Sequence, residues 1–185
     1  MVVYSYINQN KINMNYPKIF VPIAMAVLIM SCAFSQSGNN GADYDHSKNP
    51  YYSHTDNKPL TVTDAQWKKI LPPGVYHIAR EQGTERAFTG KYWDNHDKGT
   101  YYCAICGHPL YSSAAKFESG TGWPSFFQPL TPGSVLVHKD DDGMRDEVQC
   151  PRCHSHLGHV FDDGPKPTGL RYCMDGDVLD FEKGK

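Results

Sequence analysis

Several things are scarce in this 185-residue chain. Its longest uncharged apolar run, Ile19 to Met30, has twelve residues, whereas crossing a hydrocarbon core takes about twenty. Neither sign of charge prevails: 18 basic against 20 acidic residues leave −2 with His neutral, which excludes the strongly basic footprint of a nucleic-acid-binding chain. Long stretches with helical periodicity are few, while 13 Pro and 16 Gly punctuate the chain, a balance that favours short strands and turns. A hydrophobic fraction of 39% and an aromatic fraction of 12% exclude a wholly disordered polymer. The length suffices for one domain, at most two, with a true core.

The N-terminal segment reads as a targeting signal rather than as part of the fold. The apolar run follows Lys11 and Lys18 and leads into Ser31-Cys32, matching the charged flank and short apolar region of a secretory signal. The order Ile29-Met30-Ser31-Cys32 resembles a bacterial lipoprotein signal over residues 1–31, in which Cys32 becomes the lipidated first residue of an exported, membrane-anchored protein. Pro22 interrupts the run, and Met14 offers an alternative start. Removing residues 1–31 takes away two Lys and no acid, leaving sixteen basic against twenty acidic residues, a formal −4. Residues 32–60, polar and rich in Gly and Asn, read as a flexible tether. One compact domain is expected over 61–185.

Within that domain, Thr63-Asp64 can cap a short helix through Trp67, Ile70 and Leu71, stopped by Pro72-Pro73, with a second short helix over Val75 to Glu81. After Gly90 the signals turn to β: KYWD, GTYYC, SVLVHKD, MRDEVQC, GHVF, LRYCM and VLDFE. They are short, aromatic or β-branched, and separated by Gly, Pro and Asp. The fold class this predicts is mainly β, with antiparallel sheets packed together and short N-terminal helices.

Cysteine spacing carries the sharpest chemical signal. Cys103-Ala-Ile-Cys106 and Cys150-Pro-Arg-Cys153 flank residues 107–149. Two such tight turns can converge four thiolates on one closed, tetrahedral zinc site, which leaves no open position for water and is therefore structural. Disulfides, which an exported protein permits, and a C-x-x-C redox centre are the competing readings. Two of the six Cys remain, Cys32 and Cys173. Cys173, in Leu170-Arg171-Tyr172-Cys173, is either a nucleophile, its pKa lowered by Arg171 and nearby His, or a small buried hydrophobe. His154, His156 and His159 crowd six residues directly after the second cysteine pair, and point to acid–base or substrate-binding work. Trp123 follows Gly120 and Gly122, where the backbone can approach a ligand closely; a core aromatic is the plainer reading.

Together these segments resemble the methionine-R-sulfoxide reductases of the MsrB family. The resemblance rests on GTERAFTGKYW (83–93), CAIC (103–106), FESGTGWPSF (117–126), CPRCHSHLGHVFDDGPKPTG (150–169) and RYC (171–173), and spans roughly Thr61 to Phe181. It implies two antiparallel β-sheets and one structural Zn2+ on Cys103, Cys106, Cys150 and Cys153. It also implies attack of the Cys173 thiolate on the sulfoxide sulfur, releasing methionine and leaving a sulfenic acid. His156 and His159 match positions that bind and polarise the oxygen, Trp123 the residue whose face receives the methyl group, and Arg171 a position beside the nucleophile. Phe161 and Asp175 complete the implied substrate site, oxidised proteins the implied substrate. A monomer is the default expectation.

Two positions depart from the family pattern. Thr121 stands where two-cysteine members carry a resolving Cys, so direct reduction by an external thiol or a thioredoxin-like partner is expected, with Cys32 the only internal alternative. Asp175 replaces the usual Asn. Ionised, it would disfavour the thiolate; protonated, it could donate a hydrogen bond as Asn does. Against the enzyme stands a non-catalytic, zinc-stabilised binding module on the same scaffold, which would bind metal without turnover.

Overall fold

The computed structural model describes residues 44–140 and 143–184. The segment expected to be a signal, Cys32 expected to be lipidated, and the first part of the expected tether lie outside the described residues.

Helix α1 (Asp64–Ile70) starts at a capping box: the Thr63 hydroxyl accepts from Gln66 N–H while the Gln66 side chain accepts from Thr63 N–H. This satisfies two backbone donors that no helix turn can reach. Pro72 then forces an extended turn, and Pro73 opens α2 (Pro73–Glu81), where its missing N–H costs nothing. Trp67, Ile78 and Ala79 from these helices, and Leu71 between them, are buried in the core.

The rest is β, in two antiparallel sheets. A three-stranded sheet runs β2 (Pro109–Ser112), β1 (Gly99–Cys103), β9 (Leu179–Lys183). A six-stranded sheet runs β3 (Lys116–Phe117), β4 (Ser125–Phe126), β8 (Arg171–Met174), β7 (His156–Phe161), β6 (Asp146–Gln149), β5 (Leu136–Lys139). Tyr101 of the first sheet packs edge-on against Phe126 of the second, and Tyr111 stacks on Phe126. The expected mainly-β fold with short N-terminal helices is the observed one.

Three local expectations change. KYWD (91–94) is a turn, not a strand: Tyr92 has φ +64°, a left-handed conformation no strand can hold, while its ring packs on Tyr101 and Phe181. Strand β2, which opens on Pro109, is not among the expected segments. At the first position of an edge strand, the missing N–H of Pro109 breaks no ladder.

The third change concerns the stretch read as tether. Its described part, 44–60, is strapped to the domain. Asn49 is 5% exposed and donates to Ile105 C=O; Ser53 N–H donates to Cys106 C=O and Leu60 N–H to Arg152 C=O. Arg152, buried, donates to Tyr51 C=O and Cys106 C=O and pairs with Asp56. Polar residues here do not signal freedom; they satisfy main-chain groups of the cysteine turns. The folded unit therefore includes Tyr44 onward, not only Thr61 onward.

Candidate active site and metal centre

The two C-x-x-C turns meet. Gly107 closes the first turn at φ +78°, donating to Cys103 C=O; a Cβ there would lie 2.8 Å from the Ser53 backbone. His154 (φ +55°) closes the second, donating to Cys150 C=O. All four sulfurs lie within 4.8 Å of one another and the four residues are buried. Cys103–Cys153 and Cys106–Cys150 are 3.7 and 3.5 Å apart, far beyond the about 2.05 Å of a disulfide. A tetrahedron with metal–sulfur bonds of about 2.3 Å has sulfurs about 3.8 Å apart. The donor set thus fits a four-thiolate metal ion, and the disulfide reading is not the arrangement found.

Cys173 is the remaining cysteine among the described residues. It sits on β8 between Ser125 of β4 and His159 of β7, its partners in register. Gly158, beside His159, lets the two strands close: a Cβ there would lie 2.1 Å from Cys173 C=O. The thiol opens into a pocket lined by Thr84, Trp123, Arg145, Gly158, His159, Phe161, Cys173, Met174 and Asp175. Five of the seven residues expected at the substrate are therefore brought together, while His156 and Arg171 are not on the lining.

Burial pushes the Cys173 thiol above its ordinary value, the opposite of the net direction expected; Arg171 and the Thr121 hydroxyl pull it down and Asp175 pushes it up. The Thr121 hydroxyl lies 4.0 Å from the sulfur, so the position expected for a resolving Cys is indeed adjacent, but occupied by a hydroxyl. Arg171 is clamped by two bonds to Asp163, at 2.8 and 2.9 Å, and its guanidinium lies over Phe161. Trp123 donates its indole N–H to Glu85 C=O at 3.2 Å, which fixes the ring plane beside the thiol.

The two histidines separate. His159 lines the pocket, its pKa lowered by burial and by Arg145 and His156, so it is neutral at pH 7. His156 is 2% exposed and sits behind the lining. Its Nδ1 is 2.6 Å from Glu147 Oε1, its ring centroid 5.1 Å from His159, and its Nε2 3.8 Å from Asp175 Oδ2. His156 thus stands one layer behind the lining, against His159 and near Asp175.

Asp175 is 3% exposed. Burial pushes its carboxyl up to about 8; Glu85 and Asp177 push the same way, while Glu85 N–H, donating to Oδ1, opposes them. At neutral pH it is an uncharged acid, able to donate a hydrogen bond. Glu85 is the companion that the sequence reading quoted in a motif but gave no role. Its carboxyl accepts from Gly176 N–H and Asp177 N–H, and burial pushes it up to about 7 against those two bonds. Glu147, Thr84 and Arg145 were also missed. Glu147 lies in a charged, alternating strand whose sequence gives no sign that this carboxylate is buried.

A mainly-β chain with four clustered thiols and a fifth beside an imidazole, an indole and a neutral carboxyl defines a thiol-dependent enzyme scaffold. A family profile described as the SelR domain matches residues 71–183, and the chain belongs to that family. Relatives named peptide methionine sulfoxide reductase MsrB include that of Thiobacillus denitrificans, 61% identical over 121 residues, covering 64% of this chain and 92% of that protein. Those of Agrobacterium fabrum (55% over 125 residues, 66% and 93%) and Leptospira interrogans (54% over 129 residues, 69% and 98%) are similar.

Proposed function

We infer that this chain is a peptide-methionine (R)-S-oxide reductase acting on oxidised proteins. The observation that carries the reading is Cys173 in the same pocket as Trp123, His159 and a buried, uncharged Asp175. The methionine methyl group packs on the Trp123 face and Phe161. The Cys173 sulfur attacks the sulfoxide sulfur as a thiolate. The oxygen takes up a proton and passes to the Cys173 sulfur as its bond to the methionine sulfur and the new sulfur–sulfur bond both break, releasing methionine and leaving Cys173 as a sulfenic acid. Sulfur is reduced by two electrons in the substrate and oxidised by two in the enzyme. Asp175 is the group we assign to donate to the oxygen, with His159 beside it.

A first external thiol then condenses with the sulfenic acid, releasing water, and a second thiol frees Cys173 as the donor becomes a disulfide. Thr121 supports this assignment, since it has no sulfur to supply. A thioredoxin-like dithiol meets the stoichiometry in one molecule. The four-cysteine centre holds a structural Zn2+, binding no substrate and taking no part in the steps above. Residues 1–31 act as a lipoprotein signal and Cys32 anchors the exported chain to a membrane. Labelled palmitate incorporated by the full chain in a bacterial host, and lost in Cys32→Ser, is the expected result; equal label in that variant would refute the anchor. For the activity, dithiothreitol-driven loss of only the R epimer, abolished by Cys173→Ser, is expected. A folded, metal-loaded protein without turnover would refute it.

A further inference from the structure

Asp175, buried, meets the pocket that substrate fills, and three side chains lead from it to the surface. Register aligns His138 of β5 with Glu147 of β6, and Glu147 with His159 of β7. His138, whose side chain is 46% exposed, places Nε2 3.0 Å from Glu147 Oε2. Glu147 Oε1 is 2.6 Å from His156 Nδ1. His156 Nε2 is buried without a hydrogen-bond partner, and Asp175 Oδ2 lies 3.8 Å from it, a gap that a small side-chain movement closes. The chain runs from the surface at β5 to the pocket lining at Asp175.

We propose that His138, Glu147 and His156 form a proton path from solvent to Asp175, renewing the proton that Asp175 gives to the sulfoxide oxygen. This rests on the reductase reading of the Cys173 pocket. Burial of Glu147 and His156 is costly for both, and a relay gives that pairing a use: each link has one acceptor facing one donor, and the ring offers two nitrogens on opposite sides.

The proton count closes. At rest His156 Nδ1–H donates to the Glu147 carboxylate. As the thiol ionises, its proton leaves outward: Asp175 takes it and gives its own to His156 Nε2, Nδ1–H passes to Glu147, and Glu147 passes it through His138 to solvent. On the return Asp175 yields a proton to the oxygen, Nε2–H replaces it, and Nδ1 is refilled from solvent through His138 and Glu147, which restores the resting ring. Other groups face these residues without joining the path. Gln149 donates to Glu147. Glu85, Asp177 and Cys173 face Asp175, with Lys91 beside Asp177. His159 contacts the His156 ring, with Asp140 and Arg145 beyond it. Burial pushes the Glu147 carboxyl up, but the bonds from His156 and Gln149 and the neighbouring His138 leave it below its ordinary value, ready to accept and pass a proton.

The test is multiple-turnover reduction of an R-sulfoxide peptide at saturating dithiothreitol, in wild type, His138→Ala and His138→Gln, from pH 6 to 9, each variant's rate being divided by the wild-type rate at the same pH. His138→Gln can still donate a hydrogen bond to Glu147 but cannot relay. Both variants should bind peptide as wild type does, yet turn over about tenfold more slowly at pH 9, where free protons are scarce, with a smaller deficit at pH 6. Added imidazole should restore His138→Ala in a saturable manner. Rates and pH profiles equal to wild type in both variants would overturn the path. So would His138→Gln matching wild type while His138→Ala falls, which marks a structural bond. Wild-type protein that fails to reduce the peptide at all would instead overturn the underlying reductase reading.

Discussion

Replacing Asp175 by Asn isolates the effect of one proton. The amide keeps an oxygen to accept from Glu85 N–H, a bond of 3.0 Å in the wild type, and presents N–H donors at every pH. The wild-type carboxyl, with a pKa of about 8, is roughly nine-tenths neutral at pH 7 and one-tenth neutral at pH 9. If only the neutral form serves the sulfoxide oxygen, the ratio of the Asp175→Asn rate to the wild-type rate climbs about tenfold between those two pH values. Thiol ionisation cancels to first order in that ratio. Loss of the anion beside Cys173, which otherwise pushes the thiol up, adds in the same direction. Single-turnover oxidation of Cys173, followed by thiol counting so that the reductant's own titration is absent, measures the ratio. A value constant within twofold from pH 7 to 9 would refute the neutral-acid role.

The other expectations follow from burial and bonding. Asp175 and Glu85 have folded-state pKa values of about 8 and about 7, so between the ordinary carboxyl range and those values the folded state binds more protons than the unfolded. Stability therefore declines as pH rises through that window, and the gain in Tm of Asp175→Asn should be larger at pH 8 than at pH 5; a shift equal at both would contradict the assignment. Arg152→Met leaves the carbonyls of Tyr51 and Cys106 without their donor and should cost about 3 kcal/mol by denaturant unfolding. It should also make the strap at 44–60 the first segment cut by protease. Trp123→Ala removes an aromatic wall and should lower kcat/KM for the R-sulfoxide about tenfold, whereas Trp123→Phe keeps the wall and loses only the bond to Glu85. Strong chelation after mild denaturation should release one metal ion per chain and block refolding until Zn2+ is restored; refolding without metal would refute a structural centre.

What the sequence revealed and what it hid divide along the range of the interactions. Thr63 with Gln66, the Pro72-Pro73 stop and the cysteine spacings are local devices, and each folds as its spacing predicts. The strands around Tyr101 and Cys173, GTYYC and RYCM, carry enough aromatic residues to show themselves. Pro109, Tyr92 and the two-residue strands β3 and β4 do not, because neighbours distant in sequence hold them. The same holds for the strap. Asn49 and Ser53 look like linker residues until Ile105 and Cys106 are seen beside them. In the site, Cys173, Trp123, His159, Phe161 and Asp175 were legible and converge. The burial of His156 behind Asp175, and of Glu147 behind His156, depends on three strands meeting in register, which no local pattern encodes.

The most direct test of the account follows the two sulfoxide epimers of a blocked methionine separately, with purified protein and dithiothreitol, beside Cys173→Ser. The account predicts that only the R epimer is consumed, that Cys173→Ser consumes neither, and that no second protein thiol is lost during turnover. Consumption of both epimers, or turnover that survives Cys173→Ser, would contradict it.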